Sequence, residues 1–386
     1  MFKTYSKNIL LLLICLKEFF RRLFSRKKSR SLDKDLNILV LMTGKIGDLV
    51  CATPFFRELK KARPNYRVTA VIHKIGRAVL EFNPNVDEII EINEYYKSFE
   101  NHLELVKLIK SKNFDWSFVL MPGPLVNTVP YLAGIKNRAA VEAKGMGTMT
   151  SLSVYFNNHI IHAKKETLYL DYYLKLLGFM DIETYNRKKD LYLNLKIADK
   201  VNQFLDKQGI KKSKQMIFGI SVTAGVELKE WMIEKFAALA DILIKKYGVK
   251  IVFIGSDNDR EKVQSTIDLM KEPAVSLAGR LTLEELPYLM KRLDLFISGD
   301  VGPSFFANAM DIPLVVILGP CDVFAQAPIY EKCEPVVKYI YCYPCSFCPA
   351  SASHCKEGHL RCLKETTVQD VEEAVDRAIK KYILNE

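Results

Sequence analysis

Five cysteines crowd one short window near the C-terminus: Cys342, Cys345, Cys348, Cys355 and Cys362, with His354 and His359 among them. Thiolates at this spacing can present four ligands to a tetrahedral zinc. The first three follow a C-x-x-C-x-x-C rhythm that also suits iron–sulfur ligation. Free thiols, or disulfides in an oxidising compartment, are the other chemistries open to them. Cys15, Cys51, Cys321 and Cys333 are scattered and read as packing. A second reactive candidate lies near the start of the chain, in Gly44-Lys45-Ile46-Gly47-Asp48. Its glycines let backbone come close to a ligand. A carboxylate at a helix start can take a proton, or can simply cap the helix. The spacing is neither G-x-G-x-x-G nor G-x-x-x-x-G-K-S/T, so neither a dinucleotide fingerprint nor a P-loop is present.

The elements that must position these residues alternate. Ile38–Met42 is a short apolar run ending in the first glycine loop, and runs of that length bounded by glycine read as buried parallel strands. A helical pattern follows to about Ala62 and stops at Arg63-Pro64. Val68–Ile72, Asp87–Ile92 and Asp115–Leu120 read as strands, with a helix over Leu103–Ser111. A second series begins near residue 215: a strand at Met216–Ser221, a helix at Trp231–Tyr247 ended by Gly248, and a strand at Val249–Ile254. Then come a helix to about Met270, a helix at Leu283–Lys291, strands at Asp294–Ser298 and Pro313–Leu318, and a closing helix at Thr366–Tyr382. Strand–helix alternation of this kind implies βαβ units and α/β, doubly wound sheets. The expected organisation is a terminal segment 1–36, a Rossmann-like domain 37–190 and a second one 191–386 carrying the Cys-rich insert 342–362, with a cleft between the two.

Charge divides the chain the same way. The formal net charge is +11, from 56 Lys+Arg and 45 Asp+Glu. Residues 1–36 hold ten bases and three acids, so they carry +7 of it, and the rest is nearly balanced. A balanced body argues against a nucleic-acid-binding domain. Ile9–Leu16 is apolar but only eight residues long, well short of the ~20 that span a bilayer. Phe19, Phe20, Leu23 and Phe24 continue the apolar face between Lys17, Arg21 and Arg22. That pattern suits an interfacial anchor on an anionic leaflet. A secretory signal would need a small-residue cleavage site, and Leu16–Phe20 has none.

The loops after the strands resemble a known family. Gly47-Asp48 with Ala52-Thr53-Pro54, Leu59-Lys60 and Pro64 resembles the opening of the family 9 glycosyltransferases, the ADP-heptose:lipopolysaccharide heptosyltransferases and their relatives. Lys229-Glu230-Trp231 resembles their Lys-x-Trp element. Gly255-Ser256 with Asp259 and Glu261, then Leu277–Thr282 with Glu285-Leu286, resemble two further segments. Gly299-Asp300-Val301-Gly302-Pro303-Ser304 resembles their Asp-Thr-Gly-Pro loop, and Leu318-Gly319-Pro320 the strand end that follows. The ordered set, over roughly residues 37–382, carries the resemblance; no single motif does.

The resemblance implies a GT-B fold, with the acceptor bound by the N-terminal half and the nucleotide sugar by the C-terminal half. It also implies an inverting reaction with no metal required for catalysis, so the cofactor expectation is none beyond a candidate structural zinc at Cys342, Cys345, Cys348, Cys355 and Cys362. Inverting transfer needs one base for the acceptor hydroxyl, and Asp48 is the candidate, with Gly44, Lys45 and Gly47 as the loop near the acceptor. A departing nucleoside diphosphate needs a cation and backbone N–H groups. Lys229 can supply the first, and the Val301-Gly302-Pro303-Ser304 turn at a helix start the second. Asp300 can orient that loop. Glu261 can reach the nucleoside, though a solvated charge is the blander reading, and Trp231 reads as core. The chain departs from the family at Val301, where Thr is usual, and at Phe305, where a His or similar polar residue is usual. The expected partners are a nucleotide-diphosphate sugar, ADP-heptose foremost, a lipid-linked glycan acceptor and an anionic membrane surface at the cytoplasmic face, with no nucleic acid. A GT-B-type nucleotide-sugar epimerase and a non-catalytic glycan- or nucleotide-binding protein are the alternatives.

Overall fold

A computed structural model describes residue 32 and residues 35–92, 99–142, 148–162, 167–213, 215–323, 331–345 and 354–384. The expected basic segment 1–36 therefore lies outside the described residues, apart from Leu32, Asp35 and Leu36. Among the described residues no helix is long and apolar enough to cross a membrane.

The chain forms two compact units. One comprises Pro54–Lys165 and Leu170–Asn186 with the residues up to Lys45; the other comprises Arg187–Glu386 with Ile46–Thr53 and Glu166–Tyr169. The first carries strands β1 (Asn37–Met42), β2 (Arg67–His73), β3 (Glu88–Ile92), β4 (Trp116–Val119), β5 (Asn137–Glu142) and β6 (His159–His162). They form one sheet in the order β3-β2-β1-β4-β5-β6, parallel throughout. The second carries β7 (Ile217–Ser221), β8 (Lys250–Ile254), β9 (Val275–Ser276), β10 (Leu295–Gly299), β11 (Leu314–Leu318) and β12 (Cys333–Val337). Its order is β12-β11-β10-β7-β8-β9, again all parallel. Each is the doubly wound order, in which ligands gather outside the carboxyl ends of the two strands flanking the reversal. Those strands are β1 and β4 in the first unit, and β7 and β10 in the second. Two Rossmann-like units in one chain make the GT-B class of fold.

The central strands are buried on both faces, which is why they read as unbroken apolar runs. Every residue of β7, β10 and β11 is buried, as are five of the six in β1. Register is set at the opposite end by a repeated device. Asp115, just before β4, accepts the N–H of Asn37 at 3.0 Å. Asp87, before β3, accepts that of Val68 at 2.7 Å, and Asp294, before β10, that of Ile217 at 2.8 Å. Each carboxylate satisfies a strand-edge donor that would otherwise lack a partner, and Asp115 and Asp294 do so at the two reversal points. The helix Ile46–Ala62 follows β1 and buries Phe55, Phe56 and Leu59. The helix Ile233–Tyr247 ends on Gly248, whose φ of 63° is the left-handed cap that glycine adopts without strain. The closing helix Val368–Ala378 begins with a reciprocal cap: Thr367 Oγ1 accepts the N–H of Asp370, and Asp370 accepts that of Thr367.

Candidate active site

The candidate residues lie on the first turn of the helix Ile46–Ala62 and on the loops after β7 and β10, all within the second unit. After β1 the chain turns through Gly44 and the exposed Lys45 into the helix Ile46–Ala62. Asp48 lies inside the first turn of that helix and is only 8% exposed. It is thus not the capping residue that precedes a helix, which was the blander reading of its position. A carboxylate there also sits favourably at the positive end of the helix dipole.

After β7, Glu230 shapes the loop. One of its carboxylate oxygens accepts the N–H of Ala224 at 2.9 Å, and the other pairs with Lys262. Lys229 closes a short 3-10 turn, Glu227–Lys229. Its ammonium reaches Asp300 Oδ2, after β10, at 2.6 Å. Burial alone would push the Lys229 ammonium down, but the Asp300 carboxylate outweighs it and the group is held above the ordinary lysine range. Gly299 is needed beside this pair, since a Cβ there would lie 2.9 Å from the Lys229 carbonyl oxygen.

The turn after Asp300 is self-contained. Ser304, fully buried, donates its hydroxyl to the Val301 carbonyl at 2.5 Å. The Ser304 N–H also goes to that carbonyl, and Pro303 has no N–H. The helix Gly302–Ala309 therefore opens with the Gly302 N–H as its outward donor.

The Asp48 turn packs against this loop. A Cβ on Gly47 would fall 2.8 Å from the Phe305 ring, and one on Gly302 would fall 3.2 Å from Ile46. Cys51, one helical turn after Asp48, feels both Asp48 and Asp300, and burial pushes its thiol up to about 12. The structure thus gathers Asp48, Asp300, Lys229 and the Val301–Ser304 turn. Phe305, buried, packs against the backbone of the Asp48 turn at Gly47. We expect Gly47→Ala to lower turnover about tenfold, because the new methyl displaces a buried ring and a misplacement of ångström size is costly in a positioned site. Adding Phe305→Leu should return most of the activity, which measured rates of the single and double variants will check.

Other expected residues stand apart. Glu261 is exposed on the first turn of the helix Arg260–Asp268 and has no hydrogen bond or ion pair among the described residues. Asp259 is used locally, accepting from Ser256. Trp231 is buried, packs edge-to-face on Phe236 and donates its indole N–H to the Thr366 carbonyl at 3.1 Å.

Two neighbours were not foreseen. Cys321, after β11, hydrogen-bonds with both Lys229 and Asp300. Lys189 is buried beside Cys51 and Cys333 and donates to Asn308 Oδ1 at 2.6 Å. Burial pushes its ammonium below the usual lysine range. Inside the run Asn186–Asp190 a lysine reads as solvated, so no local signal marks it.

The cysteine-rich segment is a separate cluster. Cys342 Sγ lies 4.0 Å from His359 Nε2. Cys355 Sγ is hydrogen-bonded by the backbone N–H groups of Leu360, His359, Glu357 and Gly358, which hold its thiol below the usual range. Positive φ angles at Gly358 and Leu360 curl the chain around that sulfur. Cys345 feels Cys342 and Cys355, and Cys362 feels all three other thiols of this set. None of the seven described cysteines is in a disulfide. Among the described residues no three thiol, imidazole or carboxylate groups are placed to share a metal ion, and Cys348 lies outside those residues.

The chain resembles known proteins in both sequence and fold. The model of glycosyltransferase family 9 (heptosyltransferase) matches residues 102–355. Lipopolysaccharide heptosyltransferase 1 of Campylobacter coli is 24% identical over 312 residues, covering 76% of this chain and 86% of that one. Among solved structures, a family 9 glycosyltransferase of Veillonella parvula superposes with a TM-score of 0.76 at 22% identity, over 91% of this chain and 99% of that one. The ADP-heptose lipopolysaccharide heptosyltransferase II of Escherichia coli gives 0.69 at 21% identity, over 89% and 98%.

Proposed function

The chain belongs to glycosyltransferase family 9, and from that premise we propose that it transfers a heptose or related sugar, with inversion, from a nucleoside-diphosphate donor to a lipopolysaccharide-core or related surface-glycan acceptor. ADP-heptose is the donor put first. The observation that carries the reading is the Lys229–Asp300 ion pair at the β7 and β10 strand ends, with the buried Asp48 coupled to the same cluster through Cys51.

The chemistry follows from these groups. The acceptor hydroxyl attacks the anomeric carbon while Asp48 takes its proton. The bond from that carbon to the diphosphate oxygen breaks on the opposite face, and negative charge gathers on the β-phosphate. The Lys229 ammonium and the Gly302 N–H are fixed in advance to meet it, which lowers the barrier because no reorganisation is needed at that moment. Phe305 keeps the space between base and leaving group apolar, which strengthens both interactions.

A panel of nucleotide sugars tests the donor. The cognate one, at a hundred times its dissociation constant, should add about 2.7 kcal/mol of stability. A uridine- or guanosine-diphosphate sugar stabilising better than ADP-heptose would reassign the donor. The acceptor is read as lipid-linked and the enzyme as peripheral on the cytoplasmic face of an anionic membrane, on the strength of the +7 carried by residues 1–36. Deleting residues 1–34 should release the protein from membranes and leave transfer to a soluble acceptor intact; unchanged membrane association would end that reading. Cys342, Cys345, Cys355 and Cys362 are proposed to hold a structural zinc or iron together with Cys348. The carried support is their mutual proximity and the N–H groups aimed at Cys355, and no step of the transfer runs through the metal. Purification under reducing conditions with neither metal bound would exclude it.

A further inference from the structure

The loop after β11 joins two features treated so far as separate. Cys321, 5% exposed, is in hydrogen-bond contact with both members of the Lys229–Asp300 pair. What holds Cys321 in turn comes from the cysteine-rich segment. The Cys345 N–H donates to the Pro320 carbonyl at 3.1 Å. The Val323 N–H donates to the Tyr343 hydroxyl, also at 3.1 Å. Leu363, next to Cys362, packs so closely on Gly319 that a Cβ there would lie 2.9 Å from its side chain. Residues 319–323 are thus held on one side by Tyr343, Cys345 and Leu363, and meet the candidate phosphate-binding cation on the other.

We infer that Cys321 and Tyr343 are positioning residues of the donor site, through which the cysteine-rich segment fixes the Lys229–Asp300 pair in place. The inference rests on the reading of Lys229 as the cation for the leaving diphosphate. Lysine is a long side chain with several free rotamers, and one carboxylate leaves much of that freedom. A third group touching both charges removes it. The Cys321 thiol stays protonated, since burial and then Asp300 push it up to about 12. It can therefore donate S–H to the Asp300 carboxylate while its sulfur accepts from the ammonium, which a thiolate could not do. The Tyr343 hydroxyl accepts the Val323 N–H and so fixes the far end of the same loop.

The test uses the full-length enzyme with saturating acceptor and varied donor. Cys321→Ala should raise the donor KM about tenfold, the order expected for losing a hydrogen bond to a charged group. Cys321→Ser, which keeps a donor and an acceptor at that point, should bring KM back to within about threefold of the parent. Tyr343→Phe, a conservative change that removes only the hydroxyl holding Val323, should raise donor KM about threefold and leave acceptor KM alone. Lys229→Met is measured beside them. In that background Cys321→Ala should have little further effect on donor KM, because Cys321 acts through Lys229. If Lys229→Met itself leaves donor affinity unchanged, the donor-site reading fails. If Lys229→Met weakens the donor but Cys321→Ala and Tyr343→Phe lower only thermal stability, the positioning inference is overturned. Should Cys321→Ala not fold, Tyr343→Phe and Cys321→Ser decide the matter by the same donor KM.

Discussion

Replacing Asp48 with Asn is expected to cut kcat by about a thousandfold, the usual scale for a general base, while donor affinity measured by calorimetry stays within about twofold of the parent. Asn keeps the shape and the helix-start polarity but cannot accept a proton. The carboxylate is buried within the first turn of the helix Ile46–Ala62. Through Gly47 and Ile46 that turn packs against Phe305 and Gly302 of the loop after Asp300. A group acting only in the chemical step changes kcat and leaves ground-state donor binding alone. Near-normal turnover in the variant would remove Asp48 from the mechanism. So would loss of donor binding in step with loss of rate, since that describes a structural residue.

The sequence makes Asp48 visible for a physical reason. It sits at the end of β1, whose unbroken apolar run marks a strand buried on both faces. The glycine after such a strand marks where backbone must turn toward a ligand. The same logic reveals β7, β10 and β11 and the loops after them. Some strands away from the centre are hidden. β5 reads Asn-Arg-Ala-Ala-Val-Glu and β12 is only partly buried, so neither has the composition of a core strand. β9 is two residues long. Helix limits shift where local capping decides: the helix expected from Trp231 begins at Ile233, because Trp231 turns into the core instead. Within the site, legibility stops at contacts made only by folding. Cys321 looks like packing, and Lys189 looks like one charge in a charged run. Each earns its surroundings from residues more than 20 positions away, and no spacing rule encodes that.

Lys229→Met should lower kcat/KM by a few hundredfold, within the range for removing a single preorganised donor to a developing oxyanion. It should do a second thing that separates binding from folding. Lys229 and Asp300 side chains are 14% and 5% exposed, so the variant leaves a buried carboxylate unpaired. Breaking a buried pair from one side costs about 3 kcal/mol or more, and the melting temperature should fall with it. Asp300→Asn added to Lys229→Met removes the stranded charge. Much of the stability should then return, since replacing both members of a buried pair is far milder than deleting one. Activity should not return, because neither change restores a cation at the β-phosphate. Recovery of stability and rate together would mean that Lys229 serves the fold alone. Loss of rate that persists after stability is restored assigns the ammonium to the leaving group. The parent pair suits that duty, because Asp300 more than offsets the effect of burial on Lys229 and the cation keeps its charge.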